Sequence, residues 1–166
     1  MLKKFLLAAA VALPMMAAAQ TKIATVDIQQ IIPNMPEYTE AMQTLDAASK
    51  QYEEEFTKLQ QEIQKLYDEY QQLEADASTP QTIKERRIQE IQDRQTKAQQ
   101  FVQTAQQDIE RQQAQLMQPV TEKMRNAINT VGANNGITVV LPAEVPMYVS
   151  GEVIDITPMV KTQLGI

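Results

Sequence analysis

The 166 residues contain no cysteine and no histidine, and the four glycines, Gly132, Gly136, Gly151 and Gly165, all come after residue 131. Without cysteine there is no disulfide to staple a small fold and no thiolate nucleophile, and without histidine there is no imidazole base. A glycine-free stretch up to residue 131 also excludes a P-loop and a dinucleotide fingerprint there, because both need glycine where backbone approaches phosphate. Aromatics are scarce, five Tyr and three Phe, which argues against one large globular core. The net charge of −6 disfavours nucleic acid as a partner, since binding phosphates needs clustered cations. The expectation is a protein without catalytic chemistry, metal or cofactor. The triplet Glu53-Glu54-Glu55 does not change this, because consecutive helical residues point in different directions.

The first 19 residues, MLKKFLLAAAVALPMMAAA, carry two lysines, an apolar run and a small-residue end. That is the layout of a secretory signal peptide, with cleavage expected between Ala19 and Gln20. The apolar run from Phe5 to Leu13 is shorter than the roughly 20 residues of a membrane span, so cleavage is favoured over an anchor. Losing Lys3 and Lys4 takes the net charge from −6 to −8. The expected product is exported and soluble.

Between Pro36 and Pro119 the strong breaker is Pro80, so two long helices are expected. The first has a start signal at Asn34-Met35-Pro36-Glu37 and should run to about Ala77; the second starts at Ser78-Thr79-Pro80-Gln81 and should end near Val131, at Gly132 or Asn134. Apolar residues of the first helix form a stripe: Tyr38, Ala41, Leu45, Ala48, Tyr52, Phe56, Leu59, Ile63, Leu66, Tyr70, Leu73 and Ala77. The steps of three and four give a heptad seam with one stutter between Tyr52 and Phe56. The second helix repeats it at Ile88, Ile91, Gln95, Ala98, Val102, Ala105, Ile109, Gln112 and Leu116. A turn near residues 78–80 folds the two into an antiparallel hairpin in which facing residues have numbers adding to about 157. Tyr52 then faces Ala105 and Leu66 faces Ile91. Residues 37–77 carry 11 acids and 3 bases, and residues 81–131 carry 6 acids and 8 bases, so the two helices attract.

Outside the hairpin, KIATVDI (22–28) and ITVVL (137–141) read as strands that pair with each other. Met147 to Val149 is expected as a third strand, and Thr157-Pro158 opens a short last helix reaching about Leu164. So few strands cannot bury a core alone, and self-association through this body is expected. The fold class is therefore mainly α with a small β-body. Residues 36–118 are expected to form a coiled-coil hairpin arm, and residues 20–35 and 119–166 a strand-containing body through which the chain self-associates. Pro119 falls where arm and body join. Its missing amide leaves the Gln115 carbonyl without its helical partner, which makes this position a hinge or a fixed kink.

The chain resembles the Skp family of periplasmic chaperones, also called OmpH-like proteins, over essentially all of its length after the signal. The resemblance rests on KIATVDIQQII, the glutamine-rich hairpin, NAINTVGANNGITVVL and the ending MYVSGEVIDITPMVKTQL. It implies a homotrimer in the periplasm whose three helical arms enclose a cavity. In that family the cavity holds unfolded outer-membrane β-barrel proteins without ATP, and basic arm surfaces are associated with lipid and lipopolysaccharide contact.

For such a holdase the relevant residues are apolar ones lying off the hairpin seam. Met42 and Tyr67 on the first helix, and Phe101 and Met117 on the second, sit one position off their stripes and are the candidate client-binding residues. The competing reading is that they widen the seam. Lys84, Arg86 and Arg87 are candidate tip contacts for a weak lipid or lipopolysaccharide interaction, with a salt-bridged tip as the alternative. A second functional class, a non-catalytic coiled-coil structural or adaptor protein of the cell envelope, needs the same rigid hairpin and is not separated from the first by sequence physics.

Overall fold

The computed structural model describes residues 21–166; the signal-peptide reading of residues 1–19 and the cut at Ala19-Gln20 lie outside them. The chain begins with β1 (Ile23–Val26), the middle strand of a three-stranded sheet. A single turn of helix, α1 (Ile28–Ile31), follows. Asp27 starts it, its Oδ1 accepting the Gln30 amide at 3.0 Å, an acceptor for a helix N–H that would otherwise lack one. A 3₁₀ turn at Ile32–Asn34 then leads into α2 (Pro36–Ala75).

The start of α2 differs from the signal expected at Asn34, which with Glu37 three residues on would make a capping box. Pro36 stands at the first helical position, which makes Met35 the boundary residue; Glu37 is then one position too early to close the box. Asn34 instead donates its side-chain amide to the Gln30 carbonyl at 2.9 Å, and Met35 is buried in the body core. At the far end α2 stops at Ala75, two residues short of Ala77. Asp76 accounts for the stop. Its Oδ1 accepts from the Ser78 amide at 2.8 Å and the Ser78 hydroxyl at 2.7 Å, and its Oδ2 accepts from the Thr79 hydroxyl at 3.2 Å. An aspartate that binds the backbone two residues on competes with helix and makes a tight turn.

α3 (Gln81–Asn134) returns alongside α2. At 1.5 Å per residue the 40 residues of α2 span about 60 Å. The register matches the expectation: Arg87 pairs with Glu69 at 3.2 Å, Arg94 with Glu62 at 3.1 Å, Tyr52 with Asp108 at 2.5 Å, and Lys123 with Glu37. The α2 stripe from Tyr38 to Leu73 is buried or half-buried at every position. The α3 stripe is rotated in two places. Val102 and Ile88 are exposed, whereas Phe101 is half-buried. At the first place Phe101 and Asp108, one turn to either side of Ala105, both engage Tyr52. Its ring meets Phe101 edge-on at 5.9 Å, and its hydroxyl donates to Asp108.

The last part of α3 leaves the hairpin and enters the body. Val120, Met124, Ala127 and Val131 join Ala24 and Val26 of β1, Ile31, Met35, Ile156 and Val160 in one core. The helix runs past Gly132, which is buried near Val140, and ends at Asn134; the left-handed φ of 63° at Gly136 completes the turn. β2 (Val139–Pro142) then pairs parallel with β1, Ile23 opposite Val139.

The third strand is not Met147–Val149, which lies exposed outside the sheet. It is β3 (Ile154–Asp155), parallel to β1 on the other side. What pins β3 is the helix after it. Ile156 donates its amide to the Thr25 carbonyl at 2.9 Å and is fully buried. Thr157, at the start of α4 (Thr157–Leu164), accepts the Asp27 amide on its hydroxyl at 2.8 Å.

Candidate functional site

The four candidate apolar residues are placed differently. Met42 and Tyr67 are exposed on α2, and the Tyr67 hydroxyl accepts from the Gln95 side-chain amide at 2.9 Å. Phe101 lies half-buried against Tyr52, and Met117 packs against the body core just before Pro119. Tyr67 belongs to an open groove of about 780 Å³ midway along the arm, lined also by Phe56, Ile63, Ala98 and Val102. Reading the sequence misses this groove because Phe56, Ile63 and Val102 all fall on the seam stripes. The available signal is the glutamine pairs beside them, Gln60 with Gln64 and Gln99 with Gln103, which leave apolar seam atoms with only neutral, flexible cover.

Two of the three tip cations donate within the chain, and the third has only a loose ion pair. Lys84 donates to the Glu74 carbonyl at 3.3 Å, Arg87 is held by Glu69 and by Glu90 at 2.8 Å, and Arg86 lies 3.8 Å from Glu90. The carboxyl of Asp76 is held below the usual aspartate range, chiefly by the hydroxyl and then the amide of Ser78. At the other end of the arm Lys123 donates to Glu37, and this bond, followed by one from the backbone, lowers the Glu37 carboxyl. Pro119 lies one helical turn from Lys123 and immediately before Val120, which is fully buried. The arm therefore has a defined polar contact at each end.

The body carries its own apolar surface. Met147 and Tyr148 are 105% and 85% exposed, with Val145 and Val149 beside them in sequence. β2 and β3 are the two edges of the sheet. Among the described residues no group of three or more acidic side chains is gathered to hold a metal, and no helix is long and apolar enough to cross a membrane.

A two-helix arm, closed along its own seam and rooted in a small parallel sheet by the second of its helices, defines the class of protein. The family described as outer membrane protein (OmpH-like) matches residues 22–164, and the chain belongs to that family. Its fold is also that of a solved protein from Caulobacter crescentus CB15, described as an outer membrane chaperone (OmpH-like). The two share a TM-score of 0.73 at 16% identity, over 86% of this chain and 82% of the other. At that identity the likeness concerns the fold. No curated protein matches the chain.

Proposed function

We propose that the protein is an ATP-independent holdase chaperone of the periplasm that keeps unfolded outer-membrane β-barrel proteins in solution. It works as a homotrimer, with clients held between the arms. The observation that carries the reading is an arm whose two helices pack along a seam but which still leaves Met42, Tyr67 and the seam residue Val102 exposed along its length. Methionine and tyrosine suit contacts with many partners, the one being flexible and the other apolar with a polar tip. Each such contact is worth little at about 25 cal/mol per Å² of apolar surface, and weak contacts in number allow a carrier to release its cargo. Self-association is supported by the exposed Met147 and Tyr148 and by two unpaired sheet edges, since such surfaces are normally covered. A weak lipid or lipopolysaccharide contact at the tip would fall chiefly to Arg86, the most exposed of its cations, since Lys84 and Arg87 face acceptors of their own chain.

The test dilutes a urea-unfolded β-barrel protein into buffer with and without the purified protein, and reads light scattering. Suppression at stoichiometric trimer is the expected result. Unchanged aggregation would leave the adaptor reading, in which the hairpin docks one folded partner.

A further inference from the structure

The mid-arm groove differs from the rest of the arm in charge. None of its lining residues is ionised, whereas the neighbouring groove towards the tip is built on Glu62, Lys65, Glu69, Glu90 and Arg94. Its floor is apolar, made by Phe56, Ile63, Tyr67 and Val102. Along its two sides run side-chain amides, Gln60 and Gln64 on α2 and Gln99 and Gln103 on α3. Among the described residues Gln60, Gln99 and Gln103 make no side-chain hydrogen bond, and Gln64 uses its amide on Asp68 at 2.8 Å, leaving its carbonyl free. A glutamine side chain both donates and accepts, so each side offers partners for N–H and C=O groups alike.

The spacing selects the conformation of an occupant. Glutamines four apart on a helix stand about 6 Å apart, and every second residue of an extended chain stands about 6.6 Å apart. An extended segment lying along the groove meets an amide on either side about once in two residues, and its alternate side chains point to the floor. A helical segment has no free backbone groups for these amides to serve. A charged residue pressed on the floor has no counter-ion and is penalised by desolvation. From Phe56 to Tyr67 the groove runs about 16 Å, room for about five extended residues.

We propose that this groove binds a short extended segment of unfolded protein, uncharged, about five residues long, with apolar side chains at alternate positions. The proposal rests on the holdase reading and names the segment that the arm recognises. Alternation of this kind is the pattern of a strand with one apolar face.

The experiment measures binding of fluorescent peptides of about twelve residues to the purified protein by anisotropy. One peptide alternates Leu or Tyr with Thr or Gln. A second has the same composition with its apolar residues at helical spacing, and a third is alternating with Glu and Lys as the polar residues. The first should bind about tenfold more tightly than the other two. Val102→Glu should weaken it by about tenfold, and the paired Gln60→Leu and Gln99→Leu variant by about threefold without loss of apolar area. Circular dichroism melting of each variant shows whether the arm is intact. If an intact Val102→Glu protein binds the first peptide as well as the parent does, or if the three peptides bind equally, the groove is not the site. A drop in sedimentation coefficient for Val102→Glu without peptide would make the groove a contact between copies of this chain, which also overturns the proposal. Should the parent fail to suppress aggregation of a β-barrel protein and yet discriminate the peptides, the chaperone reading falls and the groove stands; the reverse outcome removes the groove alone.

Discussion

Body and arm bury their residues in different ways. In the body Ala24, Ile31, Val120, Ile156 and Val160 are completely enclosed, whereas along the arm seam only Ala41, Leu45, Ile91 and Ala98 are buried, most of the rest are half-buried, and Ile88 and Val102 are exposed. The reason is geometric. A residue in a two-helix seam has one facing wall, while Val120 belongs to a core that draws on β1, the α1 turn and α4 as well as α3. Buried apolar area is the main favourable term in folding, so the body concentrates stability and the arm spreads it thinly over about 60 Å. Segments with little buried apolar area open locally at low cost. The division suits the proposed role, in which the body stays assembled while the arms accommodate cargo of varying size.

The largest effect expected from this difference is at Ile156. Ile156→Ala removes a fully buried side chain that also sets the position of β3, and should cost about 2–5 kcal/mol in urea unfolding. Leu66→Ala, at a half-buried seam position, should cost about 1–2 kcal/mol, because the truncated site stays open to water and leaves no closed cavity. Equal losses at the two positions would mean that arm and body unfold as one unit with no difference in local packing.

The sequence was legible wherever one long-period signal acted alone. Twelve stripe residues in steps of three and four specify the face of α2, and all eleven that fall within the helix lie on the seam. The hairpin register followed from the turn position and the sizes of facing residues. Where a single side chain decides the outcome, the pattern was blind. It could not show that Tyr52 bonds Asp108 through its hydroxyl and meets Phe101 with its ring, while Val102 stays exposed, because heptad counting has no term for one side chain. It also placed the third strand at Met147–Val149, whereas the strand forms where Ile156 and Thr157 dock beside β1. Docking of a later helix is not a local property. The groove escaped for a related reason: it exists where two seams fail to cover each other, and each stripe read separately looks complete.

Pro119 stands on the boundary between the two regions, and its removal should sharpen the difference between them. Pro119→Ala restores an amide to the Gln115 carbonyl and should raise stability, by up to about 3 kcal/mol if the bend serves no other contact. If the join also moves, spin labels at Ser78 and Gln163 should report a narrower distance distribution in the variant. A distribution of unchanged width with raised stability would make Pro119 a fixed kink. Within the arm, Tyr52→Phe keeps the ring on Phe101 and removes only the bond to Asp108. Loss of one hydrogen bond to a carboxylate should cost about 1–2 kcal/mol. The cost stays near that lower figure because Gln112 also donates to the same oxygen at 2.6 Å. A larger loss, approaching that of Ile156→Ala, would show that this pair organises the arm as a core would.

The smallest effect is the one with pH, and it acts at the arm's two ends. Asp76 and Glu37 both have folded pKa values below their ordinary ones, Asp76 mainly through Ser78 and Glu37 mainly through Lys123. Each therefore binds its proton more weakly in the folded state than in the unfolded one. The stability it contributes is complete above the unfolded value, about 4, and is lost as the pH falls through the folded value. Between pH 5 and 8 neither end should respond, and the tip should loosen only in stronger acid. Carbon-detected NMR titration of the Asp76 carboxyl should give a midpoint below about 4, with the Ser78 amide resonance shifting over the same range because it donates to Asp76. Asp76→Asn keeps an acceptor for that amide, so the turn should persist at neutral pH while the acid-dependent shift of Ser78 disappears. A midpoint at or above the ordinary aspartate value, or a Ser78 shift that survives in the variant, would mean that the tip turn is held by its backbone geometry and not by the carboxylate.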